Sequence, residues 1–240
     1  MPGILFLAHR VPFPPDRGDR IRSHHLLKAL ARLAPVHVGC FGEGDAEAER
    51  ALTALAASCR VAARTKPLPL AGVEAVLAGK PVSLTAFHSS KLARWVRETI
   101  AQQDIAAIVV FSGQMGQYVP DDFAGPVVID LCDVDSAKFE AYAAAGQRKW
   151  LNAREARLLA REEVRLGRRA DATILISEAE AALYRSRLTA PDKVDVRVIG
   201  NGIDAAFFDP AIVTPHPALA GIAGPHFVFT GQMDYRPNEQ

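Results

Sequence analysis

Seven short apolar runs, most of them separated by stretches long enough for a helix, constrain this chain more than any other feature. They cover residues 4–7, 36–41, 61–64 (the weakest), 105–111, 127–131, 173–176 and 194–199. The runs are rich in β-branched side chains, and none alternates strictly with polar residues. A strand with one wet face must alternate. A strand covered on both faces need not, and strands of parallel sheets are covered on both. Helices are expected at residues 21–33, 45–58, 89–102, 136–169 with a break near Gly146, and 178–187. This order predicts an α/β fold, a doubly wound and mostly parallel Rossmann-like sheet with right-handed crossovers. Ligands on such sheets bind beyond the carboxyl ends of the strands, near the point where strand order reverses. The residues directly after each apolar run are therefore the ones to read for chemistry.

Charge and composition narrow the partners. The chain carries 28 basic and 27 acidic residues, so no global field draws it to nucleic acid and no such partner is expected. Its three cysteines, Cys40, Cys59 and Cys132, are far apart and form no metal-ligand pattern, which suggests a reducing compartment and mostly buried thiols. Met1 leads straight into a strand-like run without a secretory pattern, and no apolar run is long enough to span a bilayer. A cytoplasmic protein is expected. Residues 209–225 are rich in Pro, Ala and Gly, and residues 227–231 read as a fresh strand. The expected organisation is a domain at 1–208, a linker at 209–225 and the opening of a second domain at 226–240.

The loop after the first run carries the most information. Pro12, Pro14 and Pro15 stiffen it, Gly18 permits close backbone approach, and a helix follows at once. Asp19 is expected to cap that helix, whose free amides, together with Arg20 and Arg22, would cradle an anion. Asp16 shares this loop. Of His24 and His25 on the helix, one must point inward, and either could meet an acceptor hydroxyl. After the fourth run, Ser112 and Gln114 are candidate sugar-binding groups. After the fifth, Asp133 and Asp135 stand beside Ser136, with Asp135 or Ser136 expected to cap the next helix. No metal site is expected there. Arg154, Arg157, Arg161, Arg165 and Arg168 recur at three- and four-residue spacing, a stripe under a quarter-turn wide at about 100° per residue. Such a stripe is either a solvated helix face or a contact for anionic lipid headgroups. Asn201-Gly202 after the last run tolerates left-handed backbone and suits a hinge.

These segments together resemble the family 4 glycosyltransferases of the GT-B fold. The nearest subgroup is the sugar transferases associated with bacterial exopolysaccharide and exosortase (PEP-CTERM) systems. The resemblance rests on residues His9-Arg10-Val11-Pro12-Phe13-Pro14-Pro15-Asp16-Arg17-Gly18-Asp19-Arg20-Ile21-Arg22-Ser23. It continues in Asp133-Val134-Asp135-Ser136, Ile199-Gly200-Asn201-Gly202-Ile203-Asp204 and Phe229-Thr230-Gly231-Gln232. Family members often carry Gly-Gly where this chain has Asp-Arg-Gly-Asp, and a histidine where Ser112 stands. The resemblance implies the N-terminal, acceptor-side domain of an enzyme moving a sugar, with retention, from a nucleotide-diphosphate donor to a glycan or lipid-linked acceptor in polysaccharide synthesis. It implies the nucleotide sugar as co-substrate, no tightly bound cofactor, and catalytic residues supplied largely by the second domain, while the arginine stripe itself is the candidate inner-membrane surface. This half alone would then be inactive. It also places Asp16, Gly18, Asp19, Arg22 and His25 toward donor phosphates and acceptor, and Ser112, Gln114, Asp133 and Asp135 on the acceptor side. The alternative reading is a non-catalytic α/β module that binds an anion or a membrane surface.

Overall fold

A computed structural model describes residues 1–42, 44–64, 66–214, 216, 217, 222, 224, 225 and 227. Seven strands make one all-parallel sheet: β1 (Gly3–Ala8), β2 (Val36–Gly42), β3 (Ser58–Ala63), β4 (Ile105–Phe111), β5 (Val127–Cys132), β6 (Ala172–Leu175) and β7 (Val196–Val198). Their order is β3-β2-β1-β4-β5-β6-β7, so β1 is flanked by β2 and β4 and the order reverses between β1 and β4.

Successive side chains of a strand point to opposite faces, and β1 shows what that demands. Leu5 and Leu7 join one apolar cluster with Ile108, Val110, Ile129 and Leu175, while Phe6 and Ala8 join another with Val38, Cys40, Val109 and Phe111. Helices α1 (Gly18–Ala31) and α2 (Ala46–Leu55) supply Leu27, Leu30 and Leu52 to the second cluster. Helices α5 (Ser90–Gln102), α7 (Lys149–Arg169) and α8 (Glu178–Arg187) supply Leu92, Val96, Leu166 and Tyr184 to the first. Each fully buried Leu or Phe contributes about 1.5–3 kcal/mol, so two covered faces explain why the runs do not alternate.

The long helical stretch breaks as expected. α6 (Asp135–Ala144) ends before Gly146, whose φ of +76° fits a helix stop, and α7 begins at Lys149. Gly167 in α7 is required by close packing: a Cβ there would lie 2.3 Å from the Tyr184 hydroxyl, which donates to the Glu163 carbonyl at 2.8 Å.

Several expectations are corrected. Arg17, not Asp19, occupies the N-cap of α1 and its side chain makes no capping bond. Neither Asp135 nor Ser136 caps α6. Val134 holds the cap position, Asp135 pairs with Lys138, and Ser136 bonds to Glu163. Between β3 and α5 the sequence reading assigned nothing, yet α3 (Leu68–Leu77) and α4 (Val82–Ala86) form there. α2 stops at Leu55 and β3 begins at Ser58, earlier than expected.

The chain divides into two compact units between Asn201 and Gly202. In the second, Asp204 accepts from the Phe207 amide at 3.0 Å and Asp209 from the Ala211 amide at 2.9 Å, each closing a short turn. The expected second-domain opening at 226–240 lies, Phe227 apart, outside the described residues.

Candidate functional site

At the reversal between β1 and β4, the chain leaves β1 through His9 and Arg10 and leaves β4 through Ser112. The His9 ring stacks on Phe111, centroids 5.6 Å apart, and meets the edge of Phe87 at 6.0 Å. Its Nε2 lies 3.3 Å from an Asp19 carboxylate oxygen. Its Nδ1 is buried without a hydrogen-bond partner among the described residues. A buried polar atom left unpaired calls for an explanation, and a ligand group is one.

Asp19 gathers the cations of this loop. Besides His9, its carboxylate lies 3.0 Å from Arg17 Nε and 3.2 Å from Arg10 Nε. Burial opposes its ionisation, but the His9 hydrogen bond and the Arg17 and Arg10 charges outweigh it and hold the carboxyl well below the usual range. Arg10 shows the converse. Burial lowers its pKa, Asp19 opposes this, and Arg17, Arg64 and Arg20 repel its charge. Two guanidiniums, Arg10 and Arg17, thus pair with one carboxylate at the amino end of α1, with the charges of Arg20 and Arg64 close enough to repel Arg10, and free backbone amides there add partial positive charge.

A cavity of about 130 Å³ lies here, lined by His9, Arg10, Arg20, Arg64, Phe87 and Glu49 among others. It is smaller than the ~300 Å³ at which drug-sized pockets begin, so it is too small for a whole nucleotide. Arg64 lies over the Phe87 ring at 5.5 Å, and Arg20 pairs with Asp16 at 3.2 Å. Sequence reading passed over His9, Arg10 and Arg64 as site residues. His9 and Arg10 are the first polar residues after β1, the signal that could have found them.

The other sequence candidates scatter along the same edge. Arg22 is already engaged: it bonds Asp130 at 2.8 Å, the Ile199 carbonyl at 2.8 Å, the Gly200 carbonyl at 3.2 Å and Asn201 Oδ1 at 3.1 Å. It ties the ends of β5 and β7 to α1 rather than offering a free cation. Gly18 is exposed, has no left-handed φ, and a Cβ there would meet nothing within 4 Å. The fold therefore does not require glycine at that position. His25 is exposed, while His24 is the half-buried member of the pair, edge-on to Phe13 at 4.8 Å. Ser112 bonds to Gln114, and its φ of +75° is unusual for a residue with a side chain. Cys132, ending β5, has φ +64°. Such backbone costs on the order of 1–3 kcal/mol and clusters at ligand sites. Asp133 is exposed, and partial desolvation, then Glu180 and Asp135, pushes its carboxyl up. Asn201 ends the first unit and Gly202 opens the second.

The arginine stripe is not of one sign. Glu162 neutralises Arg165 at 2.6 Å, Arg154 donates to the Ala75 and Lys80 carbonyls, and Arg168 donates to Thr189 Oγ1. Arg157 and Arg161 are exposed without such partners among the described residues. No three metal-ligating side chains stand together among the described residues, and none of their helices is long and apolar enough to cross a membrane.

No family model matches the chain, and no curated protein matches it in sequence. Solved structures do match in shape. A sucrose-phosphate synthase from Thermosynechococcus elongatus is 17% identical over 87% of this chain and 50% of its own, with a TM-score of 0.53. Anabaena Alr3699/HepE, solved in complex with UDP and glucose, is 17% identical over 88% of this chain and 48% of its own, with a TM-score of 0.55. The chain spans about half the length of these structures, and the likeness establishes the fold.

Proposed function

We propose that this chain is the acceptor-side half of a GT-B glycosyltransferase that moves a sugar from a nucleotide-diphosphate donor to a hydroxyl. The observation that carries the reading is the cation cluster at the strand-order reversal, where Arg10 and Arg17 pair with Asp19 beside the start of α1 and Arg20 and Arg64 add their charge near Arg10. A diphosphate leaving group gains negative charge as the glycosidic bond breaks, and preorganised donors in a part-buried site stabilise that charge. Arg20, Arg64 and the α1 amides face it in this reading. Asp16 and Asp19 hold the arginines in place, and Gly18 leaves room for the ligand. His9 is oriented through Nε2 by Asp19, which leaves Nδ1 for a ligand oxygen. Ser112, Gln114, Asp133 and Asp135 line the acceptor side, with His25 at its outer edge. Asn201-Gly202 is the hinge. The half-length match to HepE, itself captured with UDP and glucose, supports the same reading.

The finer reading is a retaining enzyme of family 4 that builds bacterial polysaccharide on a glycan or lipid-linked acceptor in the cytoplasm. It uses the nucleotide sugar as co-substrate, with no tightly bound cofactor and no obligatory metal. The test is to incubate the full gene product that carries this chain with a panel of nucleotide sugars and measure nucleoside diphosphate release with and without a glycan or lipid extract. Release that depends on the extract is the expected result. A protein that binds phosphate yet turns over no nucleotide sugar would leave only an anion-binding module.

A further inference from the structure

Helix α3 is built inside out. Its buried positions are the small residues Ala71 and Ala75, while Leu70, Val73 and Leu77 are 50%, 59% and 84% exposed. At about 100° per residue those three fall within one 60° arc, opposite the two alanines. Val76 and Pro69 flank the arc and are also exposed. The only charge on the helix, Glu74, is neutralised by Lys66. A surface helix ordinarily turns such side chains inward. Here more than a full turn of bare aliphatic surface faces outward with no hydrogen-bonding side chain in it.

The surroundings are cationic. α7 grips the end of α3 through Arg154, which donates to the Ala75 and Lys80 carbonyls at 2.7 and 3.1 Å. Glu155 accepts from the Val82 and Ser83 amides at 2.8 and 2.9 Å, holding the start of α4 in the same place. Between α3 and α7 runs a cleft of about 580 Å³ with Lys66, Lys80 and His88 on one wall and Arg161 and Arg165 on the other. Arg154, Arg161 and Arg165 of the arginine stripe thus face α3 or the cleft beside it. Glu74 and Glu162 neutralise Lys66 and Arg165, which leaves Lys80, Arg157 and Arg161 without acidic partners among the described residues. Trp150, 69% exposed, stands one helical turn before Arg154, next to exposed Arg148 and Lys149.

We propose that α3 and the cationic wall of α7 form a docking face for an anionic bilayer surface. The aliphatic side chains of α3 enter the boundary between headgroups and acyl chains. The lysines and arginines around the cleft meet lipid phosphates, and Trp150 sits at headgroup level. An apolar strip bordered by cations and an exposed indole is the pattern that interfacial helices present to membranes. A second copy of the chain on this face would bring the same cations into one interface, where like charges repel, whereas lipid phosphates complement them. The inference stands on α3 and α7 and does not depend on sugar transfer.

Co-sedimentation with vesicles tests it, using the 240-residue chain, phosphatidylcholine alone, and phosphatidylcholine mixed with phosphatidylglycerol. The chain should bind the mixed vesicles at least about tenfold more tightly than the neutral ones. A Leu70→Ser, Val73→Ser, Leu77→Ser variant should lose at least about tenfold of that binding while unfolding at the same temperature, because the replaced side chains lie outside the core. Arg161→Gln with Arg165→Gln should weaken binding and flatten its salt dependence. Absence of binding to mixed vesicles would overturn the proposal. So would binding that survives loss of the α3 side chains, or a dimer in solution that the α3 variant converts to monomer.

Discussion

Arg22 Nε donates to Asp130 at 2.8 Å, joining residues 108 positions apart and both nearly buried. The same guanidinium holds the chain after β7, and the Asp130 carboxylate also accepts from the Cys132 amide at 3.1 Å. One pair therefore sets the geometry of three loops at the carboxyl edge of the sheet.

Removing one partner of a buried pair strands the other charge, at a cost of about 3–5 kcal/mol. Arg22→Met or Asp130→Asn should lower the midpoint of thermal unfolding, followed by circular dichroism, by roughly 6–20 °C for a domain of this size. The double replacement should cost less than the two single ones combined.

Glu163 gives a pH signature. It is buried, accepts from the Ser136 amide at 2.9 Å, and burial raises its carboxyl pKa from 4.5 to about 7 against the Ser136 hydrogen bonds. The folded state therefore binds more protons than the unfolded state between those two values. The Glu163 contribution to stability should fall as pH rises from about 4.5 to 7, by roughly 3 kcal/mol, and should be constant below that window, which the difference between parent and variant in denaturant titrations isolates. Glu163→Gln should remove this contribution.

Tight packing at Gly167 is testable by rescue. Gly167→Ala pushes a methyl against the Tyr184 hydroxyl and should cost about 1–3 kcal/mol in equilibrium unfolding. Tyr184→Phe in the same chain removes the obstructing oxygen and should recover part of that loss.

The strands and their two-sided burial were legible because parallel strands write their environment as unbroken apolar runs. α3 was not, since its large side chains face outward and its small ones inward, the reverse of the pattern that periodicity seeks. Asp19 reads as a cap because caps are local. Its real partners, His9, Arg10 and Arg17, are recruited by the turn that brings the end of β1 back to α1. Arg22 reads as free to meet an anion because nothing nearby in sequence neutralises it, and Asp130 is supplied by the fifth strand. Spacing located the carboxyl edge of the sheet. It could not say which charges on that edge were already spent on one another.

Gly18 separates stability from function. A Cβ at this position meets nothing, so Gly18→Ala should leave unfolding unchanged or raise stability by about 0.4–1 kcal/mol. If a ligand approaches the α1 amides, the same change should weaken inhibition of turnover by inorganic pyrophosphate.

The most direct measurement is nucleoside diphosphate release by the full gene product carrying this chain, compared with its Arg20→Gln, Arg64→Gln variant. Sugar transfer on this edge predicts turnover of at least one nucleotide sugar by the parent, and at least about a hundredfold loss in kcat/KM in the variant with its unfolding midpoint kept. Turnover that survives loss of both arginines, or no turnover with any nucleotide sugar, would contradict it.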